Sequence, residues 1–128
     1  RGLLDGAHNA DGAATVGANM RAMGLPQPVG AVVNVLRDTD WRGILRAVAT
    51  VADRVLVTMA PTAPASRAWD LADVKAWADS EGIPVARVDD FDAALRAAEA
   101  SGATVLVTGS FHTVGDAMER LQVDPLAR

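Results

Sequence analysis

The 128-residue sequence contains no cysteine, no tyrosine, a single lysine, two histidines and two phenylalanines. Without cysteine there are no disulfides and no thiolate metal sites, which is compatible with a reducing compartment; the cytoplasm is the expected location. The basic residues are eleven arginines and Lys75, scattered without a run in a chain of formal charge −4, so no electrostatic footprint for nucleic acid is present. No apolar stretch approaches the roughly 20 residues that cross a bilayer, and no basic-then-apolar signal pattern opens the chain, so no membrane association is expected. A G-x-x-x-x-G-K-[ST] phosphate loop is missing, because Lys75 stands in a helical stretch away from any glycine cluster. Gly6, Gly12 and Gly17 lack the G-x-G-x-x-G spacing of a dinucleotide fingerprint. Two histidines and dispersed carboxylates give no metal-ligand spacing, and Trp41, Trp69 and Trp77 read as packing residues.

What is present is alternation. Half of the residues are apolar, rich in Ala and Val, and the length suits one domain over residues 1–128. Short apolar runs at 2–4, 29–35, 54–57, 84–88 and 104–107 read as strands. Most are continuous, as strands covered on both faces require. Between them, helical stripes recur: Trp41, Ile44, Leu45, Val48; then Leu71, Val74, Ala78; then Phe91, Ala94, Leu95, Ala98; and finally Val114, Ala117, Met118, Leu121. Asp40, Asp70 and Asp90 stand where helix N-caps belong, and Gly24, Gly82 and Gly102 where helices stop. The class is α/β: a three-layer, Rossmann-like domain with a mostly parallel sheet of five or six strands. Residues 60–69 form a loop too long for a simple turn. The chain opens on Arg1 rather than Met, and a fragment or processed chain is expected.

In such a sheet, ligands gather outside the carboxyl ends of the strands. The unusual residues fall there: Asp5-Gly6-Ala7-His8-Asn9 after the first strand, Arg37-Asp38-Thr39-Asp40 after the second, Thr58 after the third, and Thr108-Gly109-Ser110-Phe111-His112 after the fifth. Asp5 suits either a ribose diol or a cap or turn. His8 suits a carboxylate ligand or a hydrogen-bonded place in a tight loop. Ser110, opening a helix, suits an anion site or a plain N-cap. A catalytic Ser110–His112 pairing lacks the G-x-S-x-G elbow.

LLDGAHNADGAATV at the start, LRDTDW after the second strand, TMAPTAPASRAWDL after the third and VLVTGSFHTVGDAM near the end together resemble the folylpolyglutamate and dihydrofolate synthases. These are ATP-dependent amide ligases of the Mur ligase family, and the resemblance covers nearly the whole chain. It implies the C-terminal domain of a ligase whose N-terminal ATPase domain, absent from this sequence, holds the nucleotide phosphates. It also implies ATP with Mg2+ as cofactors and a folate and L-glutamate as substrates, with reaction through an acyl phosphate. By motif position, Asp5 and Asn9 resemble nucleotide-contacting residues, and His8, Ser110 and Asp38 resemble substrate-contacting ones. Magnesium is expected to be held mainly outside this domain.

The chain departs from the family pattern at Ala10, where proline usually follows His-Asn, and at Thr39, where a lysine often stands between two aspartates. It departs again at Phe111-His112, and at Ser66, where proline usually precedes the loop arginine. Two other readings fit the same residues. One is the C-terminal domain of a peptidoglycan-precursor or cyanophycin-like amino-acid ligase; the other is a non-catalytic α/β module that binds a small anion.

Overall fold

The computed structural model describes residues 2–5, 24, 28–59, 65–101 and 104–109. They form strands β1 (Gly2–Asp5), β2 (Val29–Asn34), β3 (Arg54–Val57), β4 (Val85–Arg87) and β5 (Thr104–Gly109). With these go helices α1 (Trp41–Ala49), α2 (Leu71–Ser80) and α3 (Phe91–Ser101), and a 3-10 turn at Ala65–Arg67. All five expected strands form, their ends shifted by at most two residues. The loss at β4 has a plain cause: Pro84 has no N–H to give to the ladder and stays outside it. The Val114–Leu121 stripe and Gly102 lie outside the described residues.

The strand order is β1-β5-β2-β3-β4, and every pair is parallel. Side chains alternate across the sheet. Val29, Ala31, Val33 and Val35 pack with Val55, Val57 and Leu106 against the stripes of α1 and α2. Val32, Leu56, Val105 and Val107 pack on the opposite face against Phe91, Ala94, Leu95 and Ala98 of α3. The sheet is thus covered on both sides, which is why its strands read as continuous apolar runs.

The helix ends are built as the sequence requires. Asp40 Oδ1 accepts from Gly43 N at 3.2 Å, Asp70 Oδ1 from Ala72 N at 2.9 Å and Asp73 N at 3.2 Å, and Asp90 Oδ2 from Ala93 N at 2.9 Å. α2 stops at Gly82, whose φ of 69° lets Ile83 N reach back to Ala78 O at 2.9 Å and Gly82 N to Asp79 O at 3.3 Å. That pair of bonds satisfies carbonyls that the helix would otherwise leave open. At the amino edge of the sheet, Asp53 brackets Val29: its Oδ2 accepts from Val29 N at 2.7 Å, and its own N donates to Val29 O at 2.8 Å.

At Gly30 the backbone of α3 comes close to β2. A Cβ there would stand 3.1 Å from Ala98 O and 3.4 Å from Ala98 Cα, so the helix would have to move. Gly30→Val is expected to cost about 1–3 kcal/mol through overpacking, read as a lower urea midpoint at unchanged m-value. Because the nearest atom is backbone oxygen, adding Ala98→Gly should not restore it, and recovery would place the clash elsewhere. Gly82→Ala, which forces a side chain into the left-handed region in open space, should cost about 1–2 kcal/mol on the same measurement.

Candidate functional site at the carboxyl edge of the sheet

Parallel registers set a single crosswise row near the carboxyl ends of the strands. Asp5 of β1 is paired with Thr108 of β5, Thr108 with Val33 of β2, Val33 with Val57 of β3, and Val57 with Arg87 of β4. One residue further on, Gly109 is level with Asn34, and Thr58 N donates to Val33 O at 3.1 Å while Val88 N donates to Val57 O at 3.0 Å. The chain therefore leaves every strand on the same edge. Asp5 is the last residue of β1 and lies on this edge beside Thr108. His8, Asn9 and Ser110 lie outside the described residues, as does His112; Asp38 is described.

Asp38 sits in the turn between β2 and α1. Thr39 closes that turn, its Oγ1 donating to Leu36 O at 2.6 Å and its N to the same oxygen at 3.1 Å. The loop after β3 comes back to the same place. Leu36 and Ala68 form an antiparallel bridge, and Arg37 N donates to Arg67 O at 2.9 Å. Arg67 Nη2 then donates to both oxygens of Asp38, at 2.9 and 3.2 Å. Both side chains are about half exposed, 51% for Arg67 and 56% for Asp38, so the pair contributes at most about 1 kcal/mol to stability.

The anchor of this loop lies deeper. Trp69 is buried, and its Nε1 donates to Thr58 O at 2.9 Å, which fixes the end of the loop to the end of β3. Trp69 meets Trp41 edge-on with ring centroids 6.3 Å apart, and Trp41 meets Trp77 at 5.4 Å. The Arg42 guanidinium lies 4.2 Å from the Trp41 ring centre, and that of Arg46, which also pairs with Glu81, lies 5.1 Å from Trp77. The three tryptophans are packing residues, as the sequence suggests. Beside them an open cleft of about 680 Å³ runs between the first turns of α1 and α2, lined among others by Arg37, Arg42, Asp70 and Asp73.

Two further features belong to the edge. Arg87 grips Asp89 with two nitrogens, Nε on Oδ1 at 2.7 Å and Nη2 on Oδ2 at 3.0 Å. That hydrogen bonding holds the Asp89 carboxyl below its ordinary range and raises the Arg87 guanidinium above its own. Thr108 is buried, and its Oγ1 has no hydrogen-bond partner among the described residues.

Sequence reading put Asp5 and Asp38 on this edge, and the structure does the same. It passed over Arg67, noted only as the arginine of a loop. The available signal was that the loop after β3 must also emerge at the carboxyl edge, so a charged residue near its end falls among the others.

Known proteins agree with this architecture. The family model described as the Mur ligase, glutamate ligase domain matches residues 1–111. The dihydrofolate synthase/folylpolyglutamate synthase of Bacillus subtilis (strain 168) is 26% identical over 124 residues, a match covering 93% of this chain and 27% of that protein. The structure of Mycobacterium tuberculosis folylpolyglutamate synthase complexed with ADP superposes with a TM-score of 0.80 at 29% identity, covering 97% of this chain and 30% of that one. E. coli FolC in complex with DHPP and ADP gives 0.78 at 31% identity, covering 95% and 28%. The chain thus spans less than a third of the length of these relatives. With its family model matched over 111 of 128 residues and its fold superposing on these enzymes with TM-scores of 0.80 and 0.78, the chain belongs to the Mur ligase family as a glutamate ligase domain.

Proposed function

We propose that residues 1–128 are the C-terminal domain of an ATP-dependent ligase that adds glutamate to a folate or its dihydropteroate precursor, acting in the cytoplasm. An N-terminal ATPase domain of the same protein supplies the rest of the site. The observation that carries this reading is the crosswise row from Asp5 to Arg87, which brings the exits of all five strands to one edge in a chain of the glutamate ligase family.

The chemistry needs two halves. A substrate carboxylate takes the γ-phosphoryl group of ATP, giving an acyl phosphate and ADP. The amino nitrogen of glutamate attacks the acyl carbon, phosphate departs, and the nitrogen loses a proton to leave the amide. An acyl phosphate is lost to water unless its nucleophile is already beside it, so a domain that closes over the ATPase half and carries the amine supplies positioning and exclusion of water. Asp5 at a strand end fits a ribose diol, and by motif position Asn9 is assigned to the nucleotide as well, with His8, Ser110 and Asp38 assigned to the amino-acid substrate. Mg2+ is assigned to the other half by the same family resemblance.

The isolated chain should neither hydrolyse ATP nor ligate glutamate; turnover by purified chain, abolished by Asp5→Ala, would move the chemistry into this domain. In the full-length protein, ATP consumption should require both a folate and glutamate. A ribose contact is equal in ground and transition states, so Asp5→Ala should chiefly raise the KM for ATP. His8→Ala and Ser110→Ala should instead weaken glutamate use by about 1.5–3 kcal/mol, or roughly ten to a hundred and fifty fold, with ATP little changed. Steady-state kinetics with the two substrates varied separately decide this, and equal loss on both for Ser110→Ala would end the division of labour.

A further inference from the structure

Two segments far apart in sequence meet on the carboxyl edge through bonds that neither can lose alone. The first is the turn after β2, residues 36–39, in which Leu36 O accepts from Thr39 N at 3.1 Å and from Thr39 Oγ1 at 2.6 Å. The second is the end of the loop after β3, residues 65–69, where Ala68 N donates to Ala65 O at 3.4 Å. Between them run the Leu36–Ala68 bridge and the 2.9 Å bond from Arg37 N to Arg67 O.

Below these contacts, buried groups close the ring. Thr58 N donates to Val33 O at 3.1 Å, which ties the end of β3 to β2, and Thr58 O accepts from Trp69 Nε1 at 2.9 Å. Trp69, 2% exposed, lies edge-on to Trp41, the first residue of α1, and so reaches the element that follows the turn. Lifting Trp69 from Thr58 carries away Ala68 and Arg67, its neighbours in the chain, and with them the bridge and the backbone bond to the turn. Opening the turn first takes the donor from Arg67 O and the bridge partner from Ala68. The exposed Arg67–Asp38 pair closes the ring on the outside and adds little to its strength. Opening either segment thus breaks bonds of both, which is the condition for a single cooperative opening.

We propose that residues 36–39 and 65–69 form one conformational unit, latched by Trp69, that opens and closes as a whole while the sheet beneath stays intact. Such a unit couples two loops of the edge. A ligand engaging the turn at Asp38 stabilises the loop after β3 without touching it, and the coupling is equal in the reverse direction. The inference concerns the loops and not the ligand, so it stands apart from the ligase reading.

The test is native-state hydrogen exchange on the full-length protein. Its reporters are the Arg37 amide on the turn and the Trp69 indole N–H on the loop, with the Leu106 amide of β5, a strand paired on both sides, as reference. In wild type the two reporters should show opening constants equal within about threefold, well above that of Leu106 and nearly independent of low urea, as for a local opening. Each segment is then perturbed and the other read. Thr39→Val, which removes one hydroxyl bond from the turn, should raise opening at the Trp69 indole by about three- to tenfold. Trp69→Phe, which leaves Thr58 O without its donor, should raise opening at the Arg37 amide by about tenfold or more. Arg67→Ala, which removes only the exposed pair, should change either reporter by less than about threefold. Thr39→Val costs a partly exposed residue one hydroxyl, so the reading does not depend on Trp69→Phe folding. Opening of the Trp69 indole left unchanged by Thr39→Val shows that the segments open separately and overturns the proposal. So do wild-type reporters that differ from each other by more than about tenfold, or that open only with Leu106.

Discussion

Parallel pairing of every strand is the constraint on which the rest of this domain depends. Parallel neighbours cannot be joined by a tight turn, so each strand must be followed by a crossover that returns the chain to the starting edge. The connections that leave the strands all begin at one end of the sheet, whatever their sequence. A row such as Asp5, Thr108, Val33, Val57 and Arg87 is then unavoidable, and five loops widely separated along the chain open side by side. The polar residues of the chain did not need to be close in sequence to be close in space.

The two faces carry the stability that makes this edge possible. Val33 and Leu106 beneath α1 and α2, and Val32, Leu56 and Val107 beneath α3, are all essentially removed from water. The close seat of α3 on Gly30 and the tryptophan cluster around Trp69 lock the layers in place. Interactions at the edge are of a different kind. The Arg67–Asp38 and Arg87–Asp89 pairs are exposed and add little to the folding free energy.

The legibility of the sequence follows the same division. Strands and helices were readable because burial on both faces produces continuous apolar runs and 3.6-residue stripes, and because Asp40, Asp70, Asp90 and Gly82 carry cap chemistry that is local in sequence. Pro84 was harder to place, since only the ladder itself excludes it from β4. The carboxyl edge as the site of Asp5 and Asp38 was readable from the parallel class alone. The pairing of Asp38 with Arg67 was not, because the two residues are separated by 29 positions, a whole helix and a strand. Nothing local in either segment encodes that contact; it follows from Trp69 docking on Thr58 and from the bridge between Leu36 and Ala68.

That separation bears on how a site of this kind can change. A loop fixed by a buried tryptophan and by backbone bonds keeps its course when an exposed side chain along it is replaced, since neither the Trp69 Nε1 bond nor the Arg37–Arg67 backbone bond involves the guanidinium. Charge at the edge can therefore be moved between loops without rebuilding the layers below. Thr39 illustrates the point: its hydroxyl is turned into the β2–α1 turn, onto Leu36 O, and the cation that reaches Asp38 comes instead from the neighbouring loop. What the fold conserves physically is a place where loops converge, and the chemistry of that place is set by which of them supplies the charged group.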